Sequence, residues 1–399
     1  MKLISRKNYI SELLQLTGTP DIKVITGVRR SGKSKLLEEF KNSILKNNSK
    51  ANIIHIDFNL TDYENLLEYH ALENHIENLY VPSAENYLLI DEIELCPSFE
   101  KAINSLHAKE KYDIYVTGSN AFLQSSDLAT LFVGRTYELH IFPFSFKEYM
   151  DYYGYSDIYS SFTKYMSDGG MSGAYLYVNE KQKHRYINSE VLNALIVRDI
   201  INKYKIRNEQ LMQKIIDFLM DNIGSIASLR SIKNSLSSAW FSADHKTIGK
   251  YIDYLCKAFA FYKVRKYDIR GKKYLASEDK YYLSDHGFKY ARLGTKNMDY
   301  GHILENIIAI ELMRRGYEVY SGYLYSKEID FVAIKQGEKI YIQAAYDISS
   351  KNTFERETAP LLAVRDAYPK IIISRTFQPE YQHQGIRIFD AAEWLMKGQ

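Results

Sequence analysis

The chain has 399 residues, 46% of them hydrophobic, and a net charge of +3 from 52 basic and 49 acidic side chains. That length accommodates two or three domains with cores of their own, the composition excludes a disordered chain, and the near-balanced charge excludes nucleic-acid binding by bulk electrostatics. Only Cys96 and Cys256 are present, which excludes a disulfide framework or a cysteine zinc site and suits a reducing cytoplasm, while no apolar run approaches the roughly 20 residues of a membrane helix.

Residues 1–144 alternate strand and helix, with strand patterns at 22–26, 52–57, 86–90, 112–116 and 137–141. Such alternation predicts a parallel sheet covered on both faces, with ligand at the carboxyl ends of its strands. The first strand, with Ile22, Val24 and Ile25, runs into Gly27, Val28, Arg29, Arg30, Ser31, Gly32, Lys33 and Ser34. This is G-x-x-x-x-G-K-S, and a helical spacing follows in Leu36, Leu37, Phe40, Ile44 and Leu45. The glycines let main chain wrap a polyphosphate, and N–H groups opening the next helix, from Lys33 through Lys35, donate to its oxygens. Lys33 reaches the outer phosphates, and the Ser34 hydroxyl is a magnesium ligand.

The third strand, beginning at Tyr87, ends in Asp91 and Glu92. Asp91 is the expected metal-holding acid and Glu92 the general base that polarises water. The fourth ends in Thr117-Gly118-Ser119-Asn120, so Thr117 or Ser119 is a candidate γ-phosphate sensor, the alternative being an ordinary strand cap. Arg135, after Gly134, is a candidate stabiliser of transition-state charge, from its own or a neighbouring subunit, or else a surface arginine.

Several of these features occur together in one family. The G-V-R-R-S-G-K-S loop, Asp91-Glu92-Ile93, the T-G-S-N run and Gly134-Arg135 followed by Phe142-Pro143-Phe144-Ser145-Phe146 and Glu148-Tyr149 resemble bacterial and archaeal AAA-type ATPases. Gly169-Gly170 and Arg198-Asp199 match the same family. The resemblance implies an AAA+ core, ATP rather than GTP, and magnesium as cofactor. It also implies that the helical segment 145–206 is a lid that closes over the nucleotide and reports hydrolysis by moving.

Residues 207–298 show three amphipathic helices and then two strands joined at 268–272, the layout of a winged helix. In DNA-binding use the third helix enters the major groove and the hairpin touches backbone. The candidate contacts are His245, Lys246 and Lys250 on the helix and Arg265, Lys266, Arg270, Lys272 and Lys273 on the hairpin. A protein-binding winged helix, contacting a partner or a second copy, is the alternative to duplex DNA.

Residues 299–399 return to α/β, and helix, three strands, helix, strand resembles restriction-endonuclease-like domains of the PD-(D/E)xK group. The matching residues are Glu305, Asp330 and Gln343. Gln343 stands where an acid is usual and Ala345 where the lysine belongs, so the expectation is a relic site without efficient cleavage, with an ATP-dependent magnesium nuclease as a further alternative. The whole chain is thus expected to be α/β: a P-loop AAA+-like core, a helical lid, a winged helix and a C-terminal endonuclease-like domain.

Overall fold

The computed structural model describes residues 4–118, 132, 134–238, 241, 243–271, 273–294, 299–325 and 327–397. The chain forms two compact units, Met1–Ile141 and Phe142–Gln399.

In the first unit the elements are α1 (Lys7–Gln15), β1 (Ile22–Thr26), α2 (Lys33–Asn47), β2 (Asn52–Asp57), α3 (Tyr69–Asn78), β3 (Asn86–Asp91), α4 (Phe99–Ala108), β4 (Asp113–Thr117) and β5 (Thr136–His140). Among the described residues the five strands form one parallel sheet in the order β2-β3-β4-β1-β5. Every residue of β1 and β3 is buried, as expected of strands covered on both faces. Alternate side chains serve opposite layers. Val24, Leu88 and Val116 pack with Leu72 and Ile76 of α3 and Ile103 and Leu106 of α4. Ile25, Leu89 and Tyr115 pack with Leu13 of α1 and Leu36 and Phe40 of α2. Each fully buried aliphatic or aromatic side chain contributes about 1.5–3 kcal/mol, enough for these layers to hold the loop between β1 and α2 in place.

The second unit continues with α5 (Phe146–Tyr153), α6 (Ile158–Asp168), α7 (Glu180–Tyr186), α8 (Glu209–Asp221), β6 (Ile226–Ala227), α9 (Leu229–Ser238), α10 (His245–Lys257), β7 (Phe261–Asp268), β8 (Lys273–Leu283), α11 (Gly287–Leu293) and α12 (Tyr300–Arg314). After these come β9 (Glu318–Leu324), β10 (Lys327–Lys335), β11 (Glu338–Ala345), α13 (Lys351–Ala363), β12 (Lys370–Ser374), β13 (Tyr381–His383), β14 (Ile386–Asp390) and α14 (Ala391–Met396). Helix α7 runs on into the wide-turned segments Ile187–Leu192 and Leu195–Asn202. The Ser145-Phe-Lys-Glu148 run opens α5 as a capping box: Glu148 N donates to Ser145 Oγ at 3.2 Å and Ser145 N to Glu148 Oε2 at 2.8 Å.

The three helices and hairpin expected at 207–298 are present as α8, α9, α10 and β7–β8. The hairpin is not free-standing, however. Among the described residues one mixed sheet runs β13-β14-β12-β11-β10-β9-β7-β8-β6, because β7 pairs in parallel with β9 from Arg265 opposite Tyr320 to Asp268 opposite Tyr323. The hydrogen-bonded ladder therefore crosses the sequence boundary expected at 298–299.

The segment 145–206 also packs into this unit. Tyr159 OH donates to Glu393 Oε1 at 2.9 Å, Arg375 Nη2 to Thr163 Oγ1 at 3.3 Å, and Gly170 N to the buried Asp285 Oδ2 at 2.6 Å. Gly169-Gly170 has a steric reason here: a Cβ on Gly170 would stand 2.5 Å from the Phe144 carbonyl oxygen, and Gly169 has φ +75°. No helix among the described residues is long and apolar enough to cross a membrane.

Candidate functional site

Strand β1 delivers the chain to Gly27 at the carboxyl edge of the first sheet. Gly27 has φ +145°, and a Cβ there would lie 2.2 Å from the Ile141 carbonyl oxygen, so only glycine fits. Gly32, at φ +101°, turns the loop into α2. Lys33 is 5% exposed, and its Nζ donates to Gly27 O at 3.0 Å and Val28 O at 3.5 Å. The ammonium is thus folded back onto the loop's own carbonyls. Among the described residues Ser31 Oγ is buried with no hydrogen-bond partner. Lys35 lies on the exposed side of α2, paired with Glu38 at 2.5 Å. Arg6, which the sequence reading missed, is 4% exposed and braces the loop from behind: Nη1 donates to Ser31 O at 3.2 Å, and its backbone N donates to Glu39 Oε2 at 3.2 Å. Only its place near an amphipathic helix hints at this in the sequence.

Asp91 ends β3 and is 1% exposed. The Thr117 hydroxyl donates to its carboxylate and accepts from Glu92 N at 3.1 Å, and Ser34 lies near enough to favour the charged form. Burial raises the Asp91 pKa, the hydrogen bonds from Ser34 and Thr117 pull it down, and the charges of Glu92 and Asp57 push it up again. A cation beside Asp91 would relieve that desolvation. Glu92 follows with a left-handed backbone, φ 52° and ψ 49°, the kind of stored strain that clusters at functional turns. Asp91, Thr117 and the Glu92 backbone thus form one hydrogen-bonded group. Ser119, the other candidate sensor, lies outside the described residues.

Arg135 requires correction as a same-chain participant. It is exposed and precedes β5, where its carbonyl accepts from Ile22 N at 2.9 Å and Thr136 sits opposite Ile22. That is the amino end of β1, about 16 Å of strand away from the loop, beyond the reach of one side chain.

The hairpin candidates also divide. On α10, capped by Asp244 through Thr247 N at 2.6 Å, His245, Lys246 and Lys250 are exposed. Arg265 and Arg270 are exposed too, the latter 5.5 Å from the Tyr325 ring. Lys266 is corrected: its side chain is 12% exposed, pairs with Glu278 at 2.9 Å and lies 3.9 Å over the Tyr323 ring. Its charge is spent within the sheet. Lys272 lies outside the described residues, and Lys273 is placed only by its backbone, opposite Asp268.

Glu305 of α12, Asp330 of β10 and Gln343 of β11 do meet, in a cavity of about 750 Å³ in the second unit. With them stands a residue the sequence reading missed. Lys280 of β8 is 4% exposed, and its Nζ lies 2.9 Å from Glu305 and 2.6 Å from Glu328. A lysine beside Tyr281, Tyr282 and Leu283 in a strand was the only available signal.

A family model described as an AAA domain matches residues 19–150, and one described as a domain of unknown function matches residues 159–299. An uncharacterised protein of Haemophilus influenzae is 37% identical over 404 residues, covering 99% of this chain and 99% of its own. An uncharacterised protein of Methanocaldococcus jannaschii is 27% identical over 385 residues, covering 92% of this chain and 84% of its own. Among solved structures, AMPPCP-bound DnaA of Aquifex aeolicus aligns over 63% of this chain and 86% of its own, at 19% identity and a TM-score of 0.33. The ORC2 protein of Aeropyrum pernix aligns over 76% and 91%, at 10% identity and a TM-score of 0.26.

Proposed function

Since the chain belongs to the family of AAA-domain P-loop proteins that includes its Haemophilus influenzae relative, we propose that it hydrolyses ATP with magnesium at the loop between β1 and α2. The observation that carries this reading is the Thr117 hydroxyl, which joins Asp91 to the Glu92 backbone at the end of the strand beside the phosphate loop. The residues fit the ligands: an unpartnered buried hydroxyl at Ser31, a lysine resting on loop carbonyls that phosphate oxygens can replace, and a buried carboxylate at the strand end.

In the proposed mechanism Lys33 and the loop N–H groups bind the phosphates, and Ser34 and Asp91 hold the metal. When bound, magnesium supplies positive charge against the charge developing on the transferred phosphoryl group. Glu92 takes a proton from the attacking water, and Thr117 keeps Asp91 and Glu92 in register. Arg135 acts on the nucleotide of a neighbouring copy, a role that its position at the amino end of β5 favours over action in its own chain.

For the second unit the primary reading is docking to duplex DNA through exposed His245, Lys246 and Lys250 on α10, with Arg265 and Arg270 beside them. A second reading is a nucleotide-controlled switch that binds a protein partner or its own copies. The neutralised Lys266 and the hairpin's place inside a sheet favour it. The deciding experiment is steady-state ATP hydrolysis with and without duplex DNA at low salt, for the parent and Glu92→Gln. Parent-rate hydrolysis by Glu92→Gln overturns the general-base assignment, and indifference to DNA selects the switch.

A further inference from the structure

The cavity around Glu305 is lined by four carboxylates, Glu305, Glu328, Asp330 and Glu357, with Lys280, Lys327 and Arg356 among them, and each carboxylate is already engaged. Lys280 Nζ, on a side chain 4% exposed, lies 2.9 Å from Glu305 Oε1, 2.6 Å from Glu328 Oε1 and 3.9 Å from Asp330 Oδ1. Tyr282 OH donates to Glu305 Oε1 at 2.6 Å, and Ala344 N donates to Asp330 Oδ2 at 2.8 Å. Gln343 is used at both ends: its Oε1 accepts from Asp330 N at 2.7 Å, and its Nε2 donates to Glu357 Oε2 at 2.8 Å.

A divalent metal in such a pocket sits about 2.0–2.6 Å from its carboxylate oxygens. It would have to share the space between Glu305, Glu328 and Asp330 with an ammonium that already contacts them. A second cation placed there would be repelled by the ammonium at close range. With Lys280 in place, no group of three His, Cys, Asp or Glu side chains among the described residues is arranged to hold a metal ion.

We infer that the Lys280 ammonium is the resident cation of this pocket, standing where the resembled nucleases hold a divalent metal. The residues therefore do not fit magnesium, and the pocket acts as a metal-independent joint between the β7–β8 hairpin and α12. Departure from nuclease chemistry thus has two parts: Ala345 lacks the strand lysine, and Lys280, arriving from another strand, closes the metal position.

The test is Mn²⁺ binding by the full chain without nucleotide, read from the electron paramagnetic resonance signal of free Mn²⁺. An Asp91→Asn background silences the phosphate-loop site. The background protein is expected to bind no Mn²⁺ that depends on Asp330. Lys280→Ala, or Lys280→Met where the smaller side chain leaves the protein unfolded, should gain one Mn²⁺ bound at least tenfold more tightly than any Mn²⁺ on the background protein. Adding Asp330→Asn should remove that ion. Mn²⁺ should raise the melting temperature of the lysine variants only. Asp330-dependent Mn²⁺ binding by the protein that keeps Lys280 overturns the inference, and so does a folded lysine variant that gains no ion. The first comparison is decisive even where neither lysine variant folds.

Discussion

Asp91 is held in an unfavourable place for a charge, and its neighbours compensate only in part. Its folded pKa is raised above the ordinary 3.8, with burial as the first cause. A raised carboxyl pKa stabilises the fold below the unfolded value, and that contribution is lost as pH rises through the folded value. Replacing the charge by an amide removes this loss. Asp91→Asn should therefore melt no lower than the parent at neutral pH without nucleotide, while magnesium-dependent hydrolysis disappears; calorimetry and a phosphate-release assay check the pair. Glu92→Gln should lower turnover by about 10²–10⁴-fold and leave nucleotide affinity within a few-fold of the parent, since general-base catalysis contributes that much. Titration with a fluorescent ATP analogue separates the two effects. Both acids could be named from a strand ending in Asp-Glu downstream of a phosphate loop. Arg6 could not, because an arginine near the start of a chain has no local pattern that sends it to Ser31.

Elements explain what the residues alone leave open. The helical segment 145–206 is anchored by Gly170, whose N–H donates to Asp285 115 residues away. A Cβ at Gly170 meets backbone at 2.5 Å. Gly170→Ala should thus cost about 2 kcal/mol, the scale of a core overpacking. The loss should appear as earlier melting of the second unit, with nucleotide binding by the first unit retained. On α10, Lys246→Glu with Lys250→Glu should abolish duplex binding and flatten its salt dependence if DNA is the partner. Lys266→Ala should leave DNA affinity unchanged, because that charge is already matched by Glu278. Filter binding across a salt series reads both. The cationic run was visible in the sequence, but its division into exposed and spent charges was not. That division depends on Glu278 and Tyr323 arriving from β8 and β9.

At the scale of the whole molecule, Arg135 ties activity to assembly. Within one chain it stands at the far end of β1 from the loop, so its proposed role needs a second copy. Arg135→Ala should be inactive by itself, and mixing it with inactive Glu92→Gln should restore measurable hydrolysis, because mixed assemblies contain sites that pair an intact Glu92 with an intact Arg135. Absence of complementation in mixed assemblies verified by light scattering would remove Arg135 from the mechanism. The phosphate loop, the two acids and the five strands of the first unit were determined by the sequence itself, because eight consecutive residues specify the loop's backbone and apolar runs specify strands covered on both faces. Only the tertiary structure decided that β7 joins β9, that Arg135 lies at the wrong edge for its own nucleotide, and that Lys280 enters the pocket of Glu305 and Asp330. Those outcomes depend on strand register and on pairing between segments distant along the chain, and hydrophobic periodicity within a segment carries no record of which distant strand it will meet.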